Sequence, residues 1–504
     1  MPELLKKILV ANRGEIAVRV LRACRTLGIK TVTVYSTADQ YAVHTLMGDE
    51  SYEIGPPPPL ESYLNIDKLI DVAKKSGAEA IHPGYGFLAE NPNFAQACED
   101  NGTVFIGSSP ESIRLMGNKV ESRNKMANAG VPLIPGMEGS GNSLDEFRKA
   151  ADIAGYPVLI KAAAGGGGKG MRVVNDPADL KTAVDGARRE AKSAFGDDTV
   201  YLEKYIVDPR HIEFQVIADR HGKTVHVFER ECSIQRRHQK IVEETPSTAV
   251  TPELRKCMGE AAVAVAEAAN YYNAGTVEFL LDTRGKFYFL EMNTRIQVEH
   301  PVTEEVVGVD LVAEQIRIAS GFPLSKNFDN LSQRGHAIEC RVYAEDAANN
   351  FMPSIGKILL YREPTGPGVR VDSGVAQYST VGIDYDPILS KLIVWGQDRD
   401  VARARMIRAL TDYKILGLRH SIKYLADIIA HPKFVSGETY TNFIPNHFAD
   451  WKEDIDGNLR TALAAAAVIN ANGKTGTAAA GEQVKRDYNP WLTMGAWRIG
   501  ETQS

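Results

Sequence analysis

The residues best equipped for chemistry lie between Gly275 and Glu299. Segments 276–281 and 286–293 alternate or run apolar, and Asp282-Thr283-Arg284-Gly285 between them has the composition of a hairpin turn. Pairing Leu281 with Lys286 sets Glu278 opposite Phe289, and the period of two then places Glu278, Glu291 and Asn293 on one face. Oxygen ligands of this kind, with positions left for phosphate oxygens and water, suit Mg²⁺ bound to a nucleotide. The same parity continues through Arg295, Gln297 and Glu299, while Met292, Thr294, Ile296 and Val298 take the other side. A solvated edge strand would draw freely on lysine, serine and threonine. Two acids, two amides and an arginine beside a candidate metal point instead to a site.

A second feature is a glycine-rich loop. Apolar segments 158–160 and 171–174 flank the stretch 162–170, which reads AAAGGGGKG. A Walker A loop requires GxxxxGK[ST] leading into a helix, whereas Lys169 is followed by Gly170 and then a strand, which excludes P-loop chemistry. Strand, Lys161, glycine loop and strand can fold backbone N–H groups over phosphates, with the lysines adding charge. Four consecutive glycines cost backbone entropy on ordering, so a purely structural hairpin would rarely use them.

These pieces need elements to hold them. Apolar Ile8-Leu9-Val10, the turn Asn12-Arg13-Gly14, an amphipathic helix carrying Ile16, Val20, Ala23, Cys24 and Leu27, and the strand 31–35 read as a βαβ unit. Its turn holds one glycine where a dinucleotide fingerprint needs three, so it is a fold element and not an NAD site. A helix over 118–130 is broken by Val131-Pro132-Leu133-Ile134-Pro135-Gly136, and a new unit starts at Lys119. The whole chain, 504 residues with 44% hydrophobic and 24% charged, should make two to four globular units. A net charge of -6 argues against a nucleic-acid partner. Five scattered cysteines without a Cys-x-x-Cys pair fit a reducing cytoplasm, and no signal peptide or membrane span is read.

At this density of motifs the chain resembles the biotin carboxylase family of ATP-grasp enzymes over about its first 445 positions. The resemblance is carried by ANRGEIAVRV (11–20), HPGYGFLAEN (82–91), GGGGKGMR (165–172), ERECSIQRRHQK (229–240) and EMNTRIQVEHPVTE (291–304). It implies a mixed α/β protein with a Rossmann-like N-terminal domain (1–118), an ATP-grasp domain (119–333) with a hinged lid near 134–205, and a C-terminal domain (334–446). An extension, 447–504, follows. The implied reaction is phosphorylation of bicarbonate by ATP to carboxyphosphate, whose CO₂ passes to N1′ of biotin on a separate carrier protein.

The resemblance also implies roles. Lys119 and Lys161 neutralise ATP phosphates under the loop of Gly165, Gly166, Gly167, Gly168, Lys169 and Gly170. Glu203, Lys204 and Tyr205 form the adenine hinge, and His211, Gln235 and His238 hold ribose and phosphate. Glu278, Glu291 and Asn293 carry over as ligands of Mg²⁺ (or Mn²⁺), in agreement with the hairpin. Lys240, Arg295 and the backbone near Gln297 and Val298 cradle bicarbonate, and Glu299 is the general base that removes its proton. Arg341 stabilises the biotin enolate. Tyr85 and Gly86 match contacts to the biotin ring, and Asp386 matches a position near the ureido pocket. The implied partners are a biotin carboxyl carrier protein, a carboxyltransferase and a second copy of the chain.

Other features take plainer readings. The basic run 236–240 lies inside a family motif, Pro56 to Pro59 is a rigid loop, and Cys232 is a packed residue because transfer through carboxyphosphate needs no thiol. No Ala-Met-Lys-Met turn for biotin attachment occurs. Residues 461–468 read as an alanine-rich helix, followed by a Gly/Ala-rich linker and by Trp491 and Trp497, which suit docking onto another surface. Another ATP-grasp ligase would share the lid and carboxylates but lack the HPGYGFLAEN and RIQVEHPVTE motifs. A non-catalytic ATP-binding subunit would be expected to have lost one of Glu278, Glu291, Arg295, Glu299 or Arg341, and all are present.

Overall fold

A computed structural model describes residues 2–137, 143–163, 171–453 and 456–474. The chain divides into two units, Met1–Trp451 and Lys452–Ser504. The glycine loop, Gly165 to Gly170, lies outside the described residues, as do Trp491 and Trp497.

The apolar strand Lys7–Val10 is the centre of a five-stranded parallel sheet. Lys30–Ser36 and Glu50–Gly55 follow on one side, Ala80–His82 and Val104–Phe105 on the other. Parallel neighbours require a crossover, and the helix Gly14–Thr26 supplies it, burying Ile16, Val20, Ala23 and Cys24. Gly14 sits at φ +66°, a left-handed conformation that glycine adopts without cost. The expected Rossmann-like unit is therefore present.

The helix Lys119–Asn128 follows, with the Asn118 side chain accepting from the N–H groups of Val120 and Glu121 at 3.1 and 3.2 Å. Segment 131–136 then leads into a small three-stranded sheet ordered Arg172–Val174, Val158–Ala162, Val200–Lys204. Helices Leu144–Ala154 and Leu180–Phe195 bury Phe147, Val184 and Ala187 with Val158, Ile160 and Leu202 of the sheet, so the lid has its own core. Its entry is tight. A Cβ on Gly136 would lie 2.3 Å from the carbonyl oxygen of Leu202, where Gly136 bridges Glu203.

The largest element is an eight-stranded antiparallel sheet in the order Phe287–Asn293, Asn273–Leu281, Arg210–Ala218, Thr224–Arg236, Gln239–Thr245, His336–Tyr343, Ile388–Gly396, Val369–Ser373. It crosses the division expected after residue 333. Val242 pairs with Cys340 and Glu243 with Glu339, so the ATP-grasp and C-terminal segments share one hydrogen-bonded sheet.

Two expectations for the hairpin are corrected. Leu281 pairs with Phe287, not Lys286, because Asp282 closes the turn by bonding Lys286 and accepting from the N–H groups of Arg284 and Lys286. Phe289 faces Phe279, a bulge follows, and Glu278 then pairs with Glu291. One extra residue on the second strand thus puts the two carboxylates directly opposite each other. The alternation also stops being a strand at Asn293: residues 294–298 turn away from the sheet, and Glu299 stands at the start of the helix His300–Val307.

In the second unit the alanine-rich segment is a helix, Asp456–Lys474, with Leu459, Leu463, Val468 and Ile469 exposed. No described helix is long and apolar enough to cross a membrane.

Candidate active site

The central sheet converges its charged side chains on Lys240. The Lys240 ammonium donates to Glu278 Oε1 and Glu299 Oε1, each at 2.7 Å, and to Glu213. Glu213 and His211 come from Arg210–Ala218, Glu278 from its neighbour, Lys240 from Gln239–Thr245, and Glu299 from the turn after the hairpin. His211 Nε2 lies 3.1 Å from Glu278 Oε2. Arg341, two strands from Thr224–Arg236, donates through Nη2 to Glu299 Oε2 at 3.0 Å and through Nε to Glu243 Oε1 at 2.6 Å. Both oxygens of Glu299 therefore face a cation.

Behind this cluster lies a fully buried arginine. Arg230 donates to Glu213 at 2.6 Å, to Gln215 at 2.9 Å and to Gln297 Oε1 at 2.8 Å. Gln297 passes the connection on, its amide donating to Glu278 Oε1 at 2.9 Å. A buried guanidinium survives only when its donors are met, and here they set the orientation of three site residues.

The electrostatics follow from burial against partners. Burial would raise Glu278 and Glu299, but Lys240 and His211 hold Glu278, and Lys240, Arg341 and Arg230 hold Glu299, well below the usual carboxylate range. Glu243 is pushed up to about 7 by burial, which Arg341 only partly offsets. Burial also raises the Cys232 thiol well above its ordinary value, in keeping with a packed, unreactive cysteine.

Glu291 is different. Among the described residues its cationic neighbour is Lys119 at 3.9 Å, and desolvation together with the charge of Glu278 raises its carboxyl. Two opposed carboxylates, of which Glu291 is short of positive charge, fit a divalent cation bound with phosphate oxygens. The Asn293 Nδ2 donates to Glu278 at 2.9 Å, which orients that carboxylate, and its Oδ1 accepts from Arg295 at 3.1 Å. Arg295 also donates to Glu90 at 2.8 Å.

A cleft of about 200 Å³ adjoins the cluster, lined by Glu90, Lys119, Glu203, Glu291 and Asn293. Lys161 reaches Glu203 at 2.6 Å. The backbone N–H groups of Lys204 and Tyr205 bond Pro135 and Pro157, while the Lys204 ammonium holds the carbonyls of Gly155 and Tyr156. Gln235 pairs with Lys240 across the strands, and His238 sits exposed at the tip of that hairpin with φ +65°. The Val298 carbonyl accepts from Lys391 at 2.9 Å, and the Lys391 ammonium stands 5.9 Å from the Tyr85 ring, so Tyr85, Gly86 and Val298 border the Arg341 side. Asp386 is exposed, accepting from the N–H of Ile388 at 2.9 Å.

Sequence reasoning passed over Glu213, Arg230, Glu243 and Lys391. One signal was available, since His211, Glu213 and Gln215 alternate along one strand face in the same manner as the hairpin acids.

The lid, the cleft and the opposed carboxylates define an ATP-grasp ligase. Residues 118–327 match the ATP-binding domain of the carbamoyl-phosphate synthase L chain, residues 4–113 the biotin carboxylase N-terminal domain and residues 339–446 the biotin carboxylase C-terminal domain. A pyruvate carboxylase subunit of Methanothermobacter thermautotrophicus is 55% identical, covering 90% of this chain and 91% of its own length. The biotin carboxylase of Nostoc sp. is 52% identical over 87% of this chain and 98% of its own. The biotin carboxylase domain dimer of Hydrogenobacter thermophilus 2-oxoglutarate carboxylase, solved with MgADP, ADP and bicarbonate, is 47% identical with a TM-score of 0.85, over 90% of this chain and 100% of that one. The chain belongs to the biotin carboxylase family.

Proposed function

We propose that this chain carboxylates biotin on a separate carrier protein, using ATP and bicarbonate, as the first half-reaction of a biotin-dependent carboxylase. The observation that supports it most is Glu299, a buried carboxylate held between Arg341 and the same Lys240 ammonium that holds Glu278. Bicarbonate entering beside Lys240 and Arg295 competes with Glu299 for the cations that hold it, Lys240 and Arg341. As they turn to the anion, Glu299 loses the partners that depress it and becomes a working base. It takes the bicarbonate proton, the freed oxygen forms a bond to the γ-phosphorus, and the bond to ADP breaks. Carboxyphosphate then splits to CO₂ and phosphate, the released phosphate takes the N1′ proton of biotin, and N1′ attacks CO₂ with Arg341 beside the developing enolate oxygen. Mg²⁺ held by Glu278 and Glu291 would supply charge neutralisation of the phosphates. Lys119 from its helix and Lys161 from the lid neutralise phosphates, and residues 203–205 border adenine. His211, Gln235 and His238 approach ribose and phosphate, and Tyr85, Gly86 and Asp386 border the biotin ring.

We read the three domains as 1–118, 119–333 and 334–446, and the working form as a homodimer like the related domain dimer. A carboxyltransferase partner receives the carboxylated carrier. Relatives serve pyruvate and 2-oxoglutarate carboxylases, and the acceptor is set by that partner. The test is transfer of label from [¹⁴C]bicarbonate to an added biotinylated carrier domain. ATP-dependent, avidin-sensitive labelling with bicarbonate-dependent ADP release is expected. Neither occurring in the purified chain would overturn the reading.

A further inference from the structure

Beside the Mg²⁺-competent carboxylates, the nucleotide cleft contains a second charge cluster, and one member of it, Arg123, has no part in the chemistry above. Glu203 is 5% exposed, and each of its oxygens holds one cation: Arg123 Nη1 donates to Oε1 at 2.7 Å and Lys161 Nζ to Oε2 at 2.6 Å. Arg123 also donates through Nη2 to the carbonyl of Ile134. It stands on the body helix Lys119–Asn128, whereas Glu203 and Lys161 stand on adjacent strands of the lid sheet. One guanidinium thus ties body, entry segment and lid together.

The arrangement sets up a competition. Lys161 turning to ATP phosphates weakens its hold on the buried Glu203 carboxylate, and a buried carboxylate stripped of its partner is strongly unfavourable. We propose that Arg123 is a positioning residue for nucleotide binding, the counter-charge that keeps Glu203 in place while Lys161 exchanges that carboxylate for phosphate. The inference rests on the reading of Lys161 as a phosphate ligand. An arginine suits the role because its planar fork serves the carboxylate and the Ile134 carbonyl together, which a lysine ammonium does less well. Holding Ile134 also keeps Gly136 against Glu203, a residue that lines the cleft.

The test measures MgATP affinity by calorimetry on the full chain. Arg123→Gln is expected to weaken binding about tenfold or more, with kcat at saturating ATP within about threefold, and Arg123→Lys, which keeps the charge but not the fork, to lose less than Arg123→Gln. In a Glu203→Gln background the Arg123→Gln loss should shrink to about threefold or less, because no carboxylate then recaptures Lys161. Glu203→Gln alone should bind inorganic tripolyphosphate several-fold tighter. An Arg123→Gln affinity within twofold of wild type, or an equal loss in both backgrounds, overturns the proposal. If Arg123→Gln does not fold, the tripolyphosphate measurement decides: unchanged or weaker binding to Glu203→Gln overturns it. A wild-type chain that fails to bind MgATP sinks the functional reading and this inference with it, whereas normal wild-type binding with an unresponsive Arg123→Gln sinks only the role of Arg123.

Discussion

Glu299 is both the proposed base and an acid with a cation on each of its oxygens, and those two facts constrain each other. Its depressed carboxyl is ionised throughout the neutral range, so the base is always ready but is weak until Lys240 and Arg341 release it. Glu299→Gln keeps the shape and loses the proton acceptor; bicarbonate-dependent ATP cleavage should fall by about 10² to 10⁴, with ATP binding retained, in steady-state assays. Arg341→Gln removes one of the cations that lower Glu299, so its carboxyl rises. The acid limb of bicarbonate-dependent ATP cleavage should therefore move to higher pH, while biotin carboxylation drops by about 10² or more. A pH profile of the variant that overlays the wild-type curve would contradict the pairing of Arg341 with Glu299.

At the scale of elements, the site depends on local departures from regular structure. The bulge between Phe289 and Glu291 places Glu291 against Glu278, and the turn after Asn293 brings Gln297 and Glu299 back over the sheet. The lid depends on the close approach at Gly136. In Gly136→Ala the new Cβ meets the Leu202 carbonyl, and the strand carrying Glu203 must shift. Overpacking of this kind costs about 1 to 3 kcal/mol, read from urea midpoints, and KM for ATP should rise together with it. An unchanged KM would show that the entry segment has no bearing on the nucleotide cleft.

For the whole molecule, the eight-stranded sheet joins the ATP-grasp and C-terminal segments, and Glu244 clamps that junction. Its carboxylate meets His336 at 2.7 Å and Arg399 at 2.7 and 3.1 Å. Burial alone would raise it, but His336 and Arg399 overcome this and bring it down to about 2. A depressed carboxyl contributes stability above its ordinary value near 4.5 and loses that contribution as pH falls toward 2. Glu244→Gln should accordingly cost roughly 3 kcal/mol at pH 7, with the gap to wild type narrowing below about pH 4.5, in denaturant titrations across that range. A gap independent of pH would mean that shape, not charge, is what Glu244 contributes.

Strand parity in the sequence was enough to put Glu278, Glu291 and Asn293 on one face, because neighbours two apart on a strand must share it, while Lys240, Glu299 and Arg341 came with the density of family motifs. The βαβ unit and the lid strands were legible for the same local reason. The register of the hairpin was not, since a one-residue bulge leaves no mark in composition, and neither was the turn at Asn293, which keeps the alternation of a strand without being one. Only the tertiary structure brought Arg123 to Glu203, Arg230 beneath Gln297 and Glu243 to Arg341. These pairings join residues 80, 67 and 98 positions apart, and their partners are chosen by which strands lie side by side and by the need of each buried charge for a counter-charge.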